Sequence, residues 1–213
     1  SAFIIFLLIG FILVIITTGL YASITTAPFV LAIKNYEEAL KLAELKENEV
    51  LYDLGCGDGK VLIIGAKKFK AQTIGYELSF LRYLITKANI LINGCKNKAR
   101  VYFQDLYQAN LSQVDVIYIW LTPKAFPKLK EKFNKELKIG TRVVAFSSPL
   151  NFWQPDKVLN IQPSPNQFLG LILPTDGDVS IFTQKNKALP VNYYLNLNIY
   201  AKIKLVDISI NQN

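Results

Sequence analysis

Three acids and three glycines in this chain stand where α/β proteins do chemistry. Asp53 closes the apolar run Val50-Leu51-Tyr52, and Gly55, Gly57 and Gly59 follow on alternate positions with Asp58 between them. Physically, this is a buried strand, a tight turn whose backbone must approach a ligand closely, and a helix start near Asp58. Glu77 lies twenty residues after Gly57, at the end of a second apolar run. From there a carboxylate reaches ribose hydroxyls bound over a glycine turn. Asp105 follows a third such run. All three acids thus fall at carboxyl ends of strands, where open α/β sheets take their ligands. Alone, Glu77 reads as a surface acid and the glycines as a structural turn. Their joint spacing points to a nucleotide-like ligand.

The same spacing excludes. A dinucleotide fingerprint would need its third glycine at position 60, which is Lys60. There is no histidine, so His-based triads, His general bases and most transition-metal sites are ruled out. Two cysteines, Cys56 and Cys95, are too few for a structural zinc site or a disulfide framework. No metal is expected. The net charge of +8 suits anionic lipid, nucleic acid or an acidic protein, without choosing among them.

The elements that position these residues alternate regularly. After the glycine turn, Val61, Leu62, Ile63, Ile64 and Ala66 predict the buried face of a helix. Ala71–Tyr76 reads as a strand ending in Glu77, and Phe80–Asn93 as a helix burying Leu81, Leu84, Ala88 and Leu91, with Gly94 as its stop. Arg100–Phe103, Val114–Trp120 and Thr141–Phe146 read as further strands, the second of them buried on both faces. Between the last two, Thr122-Pro123 opens a helix with Phe126, Leu129, Phe133 and Leu137 inward. That helix carries six lysines between 124 and 138, read as a solvated face that could also rest on anionic headgroups. The order predicts an α/β fold with a central, mostly parallel sheet. Val179–Gln184 and the alternating run 195–205 predict an antiparallel C-terminal pair.

Ahead of the sheet, Ala2–Leu20 is apolar apart from Thr17, Thr18 and two glycines, and no charge occurs before Lys34. That length and composition predict a single transmembrane helix. The lysines that follow place the rest of the chain on the cytoplasmic side. Tyr36–Ala43 predicts a short amphipathic helix that links membrane to core. The expected division is an anchor over 1–22, a linker or lid over 23–48 and a catalytic domain over 49–213.

The glycine run with an acid two residues ahead resembles the first motif of class I S-adenosylmethionine (SAM) dependent methyltransferases, whose fold is Rossmann-like. Further motifs follow in order: Gly75-Tyr-Glu-Leu78, Asp105-Leu106, Leu121-Thr-Pro123 and Phe152-Trp-Gln-Pro155, with Ala27-Pro-Phe-Val30 ahead of them. Over roughly residues 25–156 the chain resembles a family of membrane-anchored protein-lysine N-methyltransferases. Its members act on the c-subunit of ATP synthase and on the adenine nucleotide translocase, and it has prokaryotic relatives. The resemblance implies that Asp53, Gly55, Gly57, Asp58, Gly59, Glu77 and Asp105 line the SAM site. Asp53 would hold the amino end of the methionine part, and Asp105 the adenine amino group. Phe29, beside Pro28, would close over the site. Leu121, Thr122 and Pro123 would border the incoming amine, with Trp153 as either a cation–π wall or a core residue. Cys56 and Lys60 depart mildly from the family pattern, and the chain stops following the mitochondrial members after Pro155.

The expected reaction is in-line displacement by a neutral lysine nitrogen on the sulfonium methyl, which needs alignment and exclusion of water. No residue is assigned as general base. The expected partners are a membrane or membrane-adjacent protein and the lipid bilayer, with nucleic acid not expected. Two other readings stand: a methyltransferase for a small molecule, lipid or RNA, and a catalytically silent SAM-binding membrane tether. Leu121-Thr-Pro-Lys124 stands where amide and adenine N-methyltransferases usually carry Asn/Asp-Pro-Pro-Tyr, which argues against the first of them.

Overall fold

In a computed structural model of the 213-residue chain, residues 2–25, 36–146, 149–159 and 179–185 are described. Helix α1 (Ala2–Thr25) is followed by α2 (Tyr36–Leu42), β1 (Val50–Leu54), α3 (Lys60–Lys68), β2 (Gln72–Glu77), α4 (Phe80–Ile92) and β3 (Ala99–Phe103). Then come β4 (Val116–Ile119), α5 (Phe126–Glu136), β5 (Arg142–Phe146), β6 (Lys157–Leu159) and β7 (Val179–Thr183). Short 3₁₀ turns at Leu106–Gln108 and Pro123–Ala125 complete the order.

The sheet runs β3-β2-β1-β4-β5-β7-β6. Strands β1 to β5 are parallel, and β7 is antiparallel to both β5 and β6. The order reverses between β1 and β4, which opens a crevice at the carboxyl end of β1, directly over the glycine turn. All four residues of β4 are buried, as expected of a central strand covered on both faces. On one face Leu51, Val116, Tyr118 and Val144 pack against Leu40 and Val61. On the other, Ile117, Ile119 and Val143 pack against Phe126, Leu129, Phe133 and Leu137, the inward residues that the sequence predicts for α5. Pro127 sits in the first turn of α5, where its missing N–H costs little, so the start is a 3₁₀ turn rather than a break.

Two expectations are corrected. The expected buried stripe of α4 (Leu81, Leu84, Ala88, Leu91) faces outward, and the helix buries Thr86 and Ile90 instead. The reason is polar: Thr86 and Asn89 reach backbone carbonyls of the glycine turn, which a leucine could not satisfy. In the tail, β7 does not take a hairpin partner from downstream over Val179–Ile181, because β5 and the unforeseen β6 occupy both of its edges there. The run 195–205 itself lies outside the described residues, as do Pro28 and Phe29. Ile63 and Ile64 of α3 are only half-buried, whereas Val61, Leu62, Gly65 and Ala66 form its inner face.

α1 is one continuous helix, and Phe3–Tyr21 is long and apolar enough to cross a membrane. Its large side chains are exposed along nearly their whole length, with Phe3 and Phe6 at 73% and 74%. A core helix of a soluble domain would bury one face.

Candidate active site

β1 delivers Asp53 to the crevice one residue before its end, on the same face as Leu51 and Tyr118. The turn that follows is tied down at nearly every residue. Gly55 and Cys56 donate their N–H groups to Tyr76 O at 2.9 and 3.1 Å, and Gly59 donates to Cys56 O at 2.8 Å. Gly57 N donates to Glu77 Oε2 at 2.9 Å, while Thr86 Oγ1 donates to Gly57 O at 2.6 Å. Asn89 Nδ2 donates to Asp58 O at 2.9 Å, and the Asp58 carboxylate pairs with Lys60 Nζ at 2.9 Å. Gly59 is required twice over. Its φ of +79° is left-handed, and a Cβ there would lie 2.6 Å from Thr86 Cγ2. Close packing of a different kind occurs at Gly75, where a Cβ would meet Cys56 Sγ at 2.6 Å. The turn is held by β2 and α4 as much as by its own glycines.

Two of the acids, Asp53 and Glu77, are perturbed by burial. Asp53 is 3% exposed, and burial pushes its carboxyl well above the usual range, with the charges of Glu77 and Asp58 adding to it. Burial likewise raises Glu77, against the opposing pull of the Ser79 and Gly57 N–H groups and of Arg82. Glu77 Oε1 accepts from Ser79 N at 2.8 Å, so this one carboxylate braces both the glycine turn and the start of α4. Each oxygen keeps a further lone pair for a ligand hydroxyl. Asp105 caps the 3₁₀ turn after β3, accepting from Tyr107 N at 3.0 Å, and beside it Tyr107 is pushed up to about 12 by burial and then by the Asp105 charge. Burial also raises the Cys56 thiol, with Asp53 and Glu77 contributing, so it is no nucleophile.

Leu121, Thr122 and Pro123 follow β4 after Trp120, at the carboxyl end of the strand. Leu121 Cδ2 lies 3.3 Å from where a Gly55 Cβ would be, so the segment expected to border the acceptor touches the glycine turn. Among the described residues, two buried side-chain polar atoms lack a hydrogen-bond partner: Thr122 Oγ1 and Tyr118 Oη. Tyr118 stands directly across from Asp53 in the β1–β4 register, with the Tyr36 ring edge-on at 6.2 Å. Orphan buried hydroxyls are costly unless a ligand completes them. Trp153 is half-buried against Phe133, at 5.8 Å between ring centroids, and against Phe152, on the α5 side of the sheet and in the cluster that also holds Leu121. Phe29 lies outside the described residues. Sequence reasoning misses Thr86, Asn89 and Tyr118. The signal for the first two is a pair of polar residues three apart on the side of α4 opposite its leucines.

Comparison with known proteins then bears on the chemistry. Residues 53–157, from Asp53 through the start of β6, match the ANTKMT methyltransferase domain. A protein-lysine N-methyltransferase of Saccharolobus islandicus is 33% identical over 124 residues, covering 58% of this chain and 77% of that protein. The chain belongs to this methyltransferase family. The human lysine N-methyltransferase named for the C-subunit of ATP synthase is 33% identical over 133 residues, or 62% of this chain and 56% of the human protein. Among solved structures, an RNA methyltransferase from Salinibacter ruber bound to S-adenosyl-L-homocysteine is similar, with a TM-score of 0.67 and 26% identity over 76% of this chain and 98% of that one.

The methyltransferase thus has the Rossmann-like class I fold, and that fold with a neighbour bound to S-adenosyl-L-homocysteine implies SAM as its methyl donor. The residues present fit such a group. A methyltransferase of this kind needs a turn that lets backbone approach a nucleoside, and Gly55, Gly57 and Gly59 all take left-handed φ values, of +95°, +57° and +79°, in a turn packed tightly on Thr86. It also needs negative charge near a cationic sulfur, and buried Asp53 and Glu77 are held so that a positive guest would favour their ionisation.

Proposed function

We propose that this methyltransferase moves a methyl group from SAM to a lysine amine of a membrane or membrane-adjacent protein. The observation that carries the reading is the family membership, since the archaeal relative aligned over 77% of its length is named a protein-lysine N-methyltransferase. Its human and mouse relatives are named for the C-subunit of ATP synthase and the adenine nucleotide translocase. Both names suit an acceptor at a membrane, and α1 supplies a span-length apolar helix to hold the enzyme there. In this reading α1 crosses once and the domain faces the cytoplasm.

When bound, SAM supplies an electrophilic methyl group on a cationic sulfur. The chain's own residues do the rest. Glu77 takes the ribose hydroxyls on the lone pairs that Gly57 and Ser79 leave free. Asp53 answers the amino end of the methionine part, and Asp105 the adenine edge. Gly55, Gly57 and Gly59 let the turn lie close, with Asp58 anchoring it through Lys60. Leu121 and Pro123 exclude water at the acceptor side, and Thr122 Oγ1 accepts a hydrogen bond from the amine, which orients its lone pair.

A second reading has its own support: the Salinibacter ruber neighbour, aligned over 98% of its length, is named an RNA methyltransferase. One experiment separates the two. Detergent-solubilised enzyme is given methyl-labelled SAM and membranes from its own source, beside a Glu77→Ala variant. Label recovered as methyl-lysine on a discrete protein band, and lost with the variant, is the expected result. Label in RNA or lipid overturns it. SAM binding without label would favour a silent tether.

A further inference from the structure

Helix α4 is amphipathic the wrong way round for a soluble domain. Leu81, Leu84, Ile85, Ala88, Leu91 and Ile92 fall on one stripe at i, i+3, i+4 spacing, and every one of them is exposed. Ile92 is 81% exposed and Leu91 58%. On the opposite side Thr86 and Asn89 turn inward, where both bond the glycine turn. A helix that spends its polar side on the cofactor turn leaves its apolar side for something else.

What that something is follows from α1. The Phe11 ring stands edge-on to Phe80 at 5.9 Å, and Thr18 Oγ1 accepts from Phe80 N at 3.2 Å. Phe11 and Thr18 are two turns apart, so α1 runs past the head of α4 for roughly 10 Å of its length. Both contacts lie inside the span-length segment Phe3–Tyr21. The head of α4 is therefore continuous with the apolar surface of α1. Phe80 also meets Phe103 at 5.4 Å and Tyr83 at 6.3 Å, which extends an aromatic surface from α1 across to the exposed edge strand β3. At the far end of α4 the surface changes character. A shallow depression there is lined by Lys67, Lys70, Asn93, Gly94 and Lys98, with no acid among its lining residues. Exposed Lys96 stands beside it in the chain. An exposed apolar stripe with lysines at one end is the pattern of a helix lying at an anionic lipid surface.

We infer that the outward face of α4, together with the aromatic edge of β3, is a second membrane-contact surface that lays the catalytic domain against an anionic bilayer. The domain does not hang from α1 on a free tether. It meets the bilayer through the helix whose inner side holds the glycine turn. This rests on the reading of α1 as a membrane anchor.

The test uses the full chain reconstituted into vesicles of phosphatidylcholine and phosphatidylglycerol, with and without doxyl-labelled acyl chains. Three single-cysteine variants are labelled with bimane: Phe6→Cys on α1, Ala88→Cys on α4 and Glu131→Cys on α5. Native Cys56 and Cys95 are buried and do not compete. The expected result is loss of bimane emission to doxyl lipid at Phe6 and Ala88, and none at Glu131. Loss at Phe6 alone would overturn the α4 surface and leave the anchor intact. Loss at neither would overturn both. A blue-shifted but unquenched probe at Ala88 would mean protein covers the stripe, and loss at all three sites would mean no preferred face; either overturns the proposal.

Discussion

The Glu77 carboxylate accepts from Gly57 N at 2.9 Å through one oxygen and from Ser79 N at 2.8 Å through the other. A single acid at the end of β2 thereby sets both the turn after β1 and the first residue ahead of α4. The same side chain expected to touch the ribose also builds the cradle that receives it. Loss of Glu77 is therefore not a local change.

Glu77→Ala should weaken SAM binding by about ten- to a hundredfold. Each hydrogen bond to a charged acceptor is worth about 1.5–3 kcal/mol, and two backbone donors lose theirs. Glu77→Gln keeps one acceptor and should lose less. Titration calorimetry of the detergent-solubilised chain measures both, and equal affinities in all three proteins would remove Glu77 from the site.

Thr86→Val should leave the fold of α4 intact but strip Gly57 O of its partner. An unsatisfied carbonyl costs about 1–3 kcal/mol, and part of that should appear as weaker SAM binding because the turn loosens. Thr86→Ser restores the hydroxyl and should recover affinity. If serine behaves like valine, packing rather than the hydrogen bond is what matters at this position.

Gly59→Ala meets two obstacles, a left-handed φ and the Thr86 methyl at 2.6 Å. Left-handed strain alone costs about 1–3 kcal/mol. Denaturant unfolding should register at least that loss, and a Gly94→Ala control, with a similar φ of +69° but open space around its Cβ, should lose less. Equal losses would show that backbone strain is the whole effect.

The pH dependence has a definite sign. Burial first, and neighbouring charge second for Asp53, raise both Asp53 and Glu77 above their ordinary range. For a raised carboxyl the stability contribution is fully present below the unfolded pKa and is lost as pH climbs through the folded value. A cationic sulfonium reverses the preference by favouring the ionised forms, so SAM affinity should rise with pH over that same window. Binding measured in buffers of different ionisation heat should show proton release, and Asp53→Asn should flatten the profile. A flat profile in the unaltered enzyme would mean that neither acid faces the ligand's charge.

Much of this molecule is set by short-range pattern. Period-two and period-3.6 apolar spacing locates β1 to β5, α3 and the inward face of α5, because each of these buries an apolar side against its neighbours. The acids at strand ends are legible for the same reason, since a parallel strand must finish at the ligand edge of the sheet. Tertiary structure alone decides which side of α4 is inside. Periodicity measures how far a helix is two-sided, and says nothing of which side finds a partner. Here the carbonyls of Gly57 and Asp58, turned outward by the glycine turn, demand donors, and Thr86 and Asn89 provide them. Leaving those carbonyls unpaired would cost about 1–3 kcal/mol each, and the leucines take the outer side in consequence. The insertion of β7 between β5 and β6, and the packing of Trp153 on Phe133, are likewise long-range choices. They depend on which distant surfaces happen to meet, and no local run of residues carries that information.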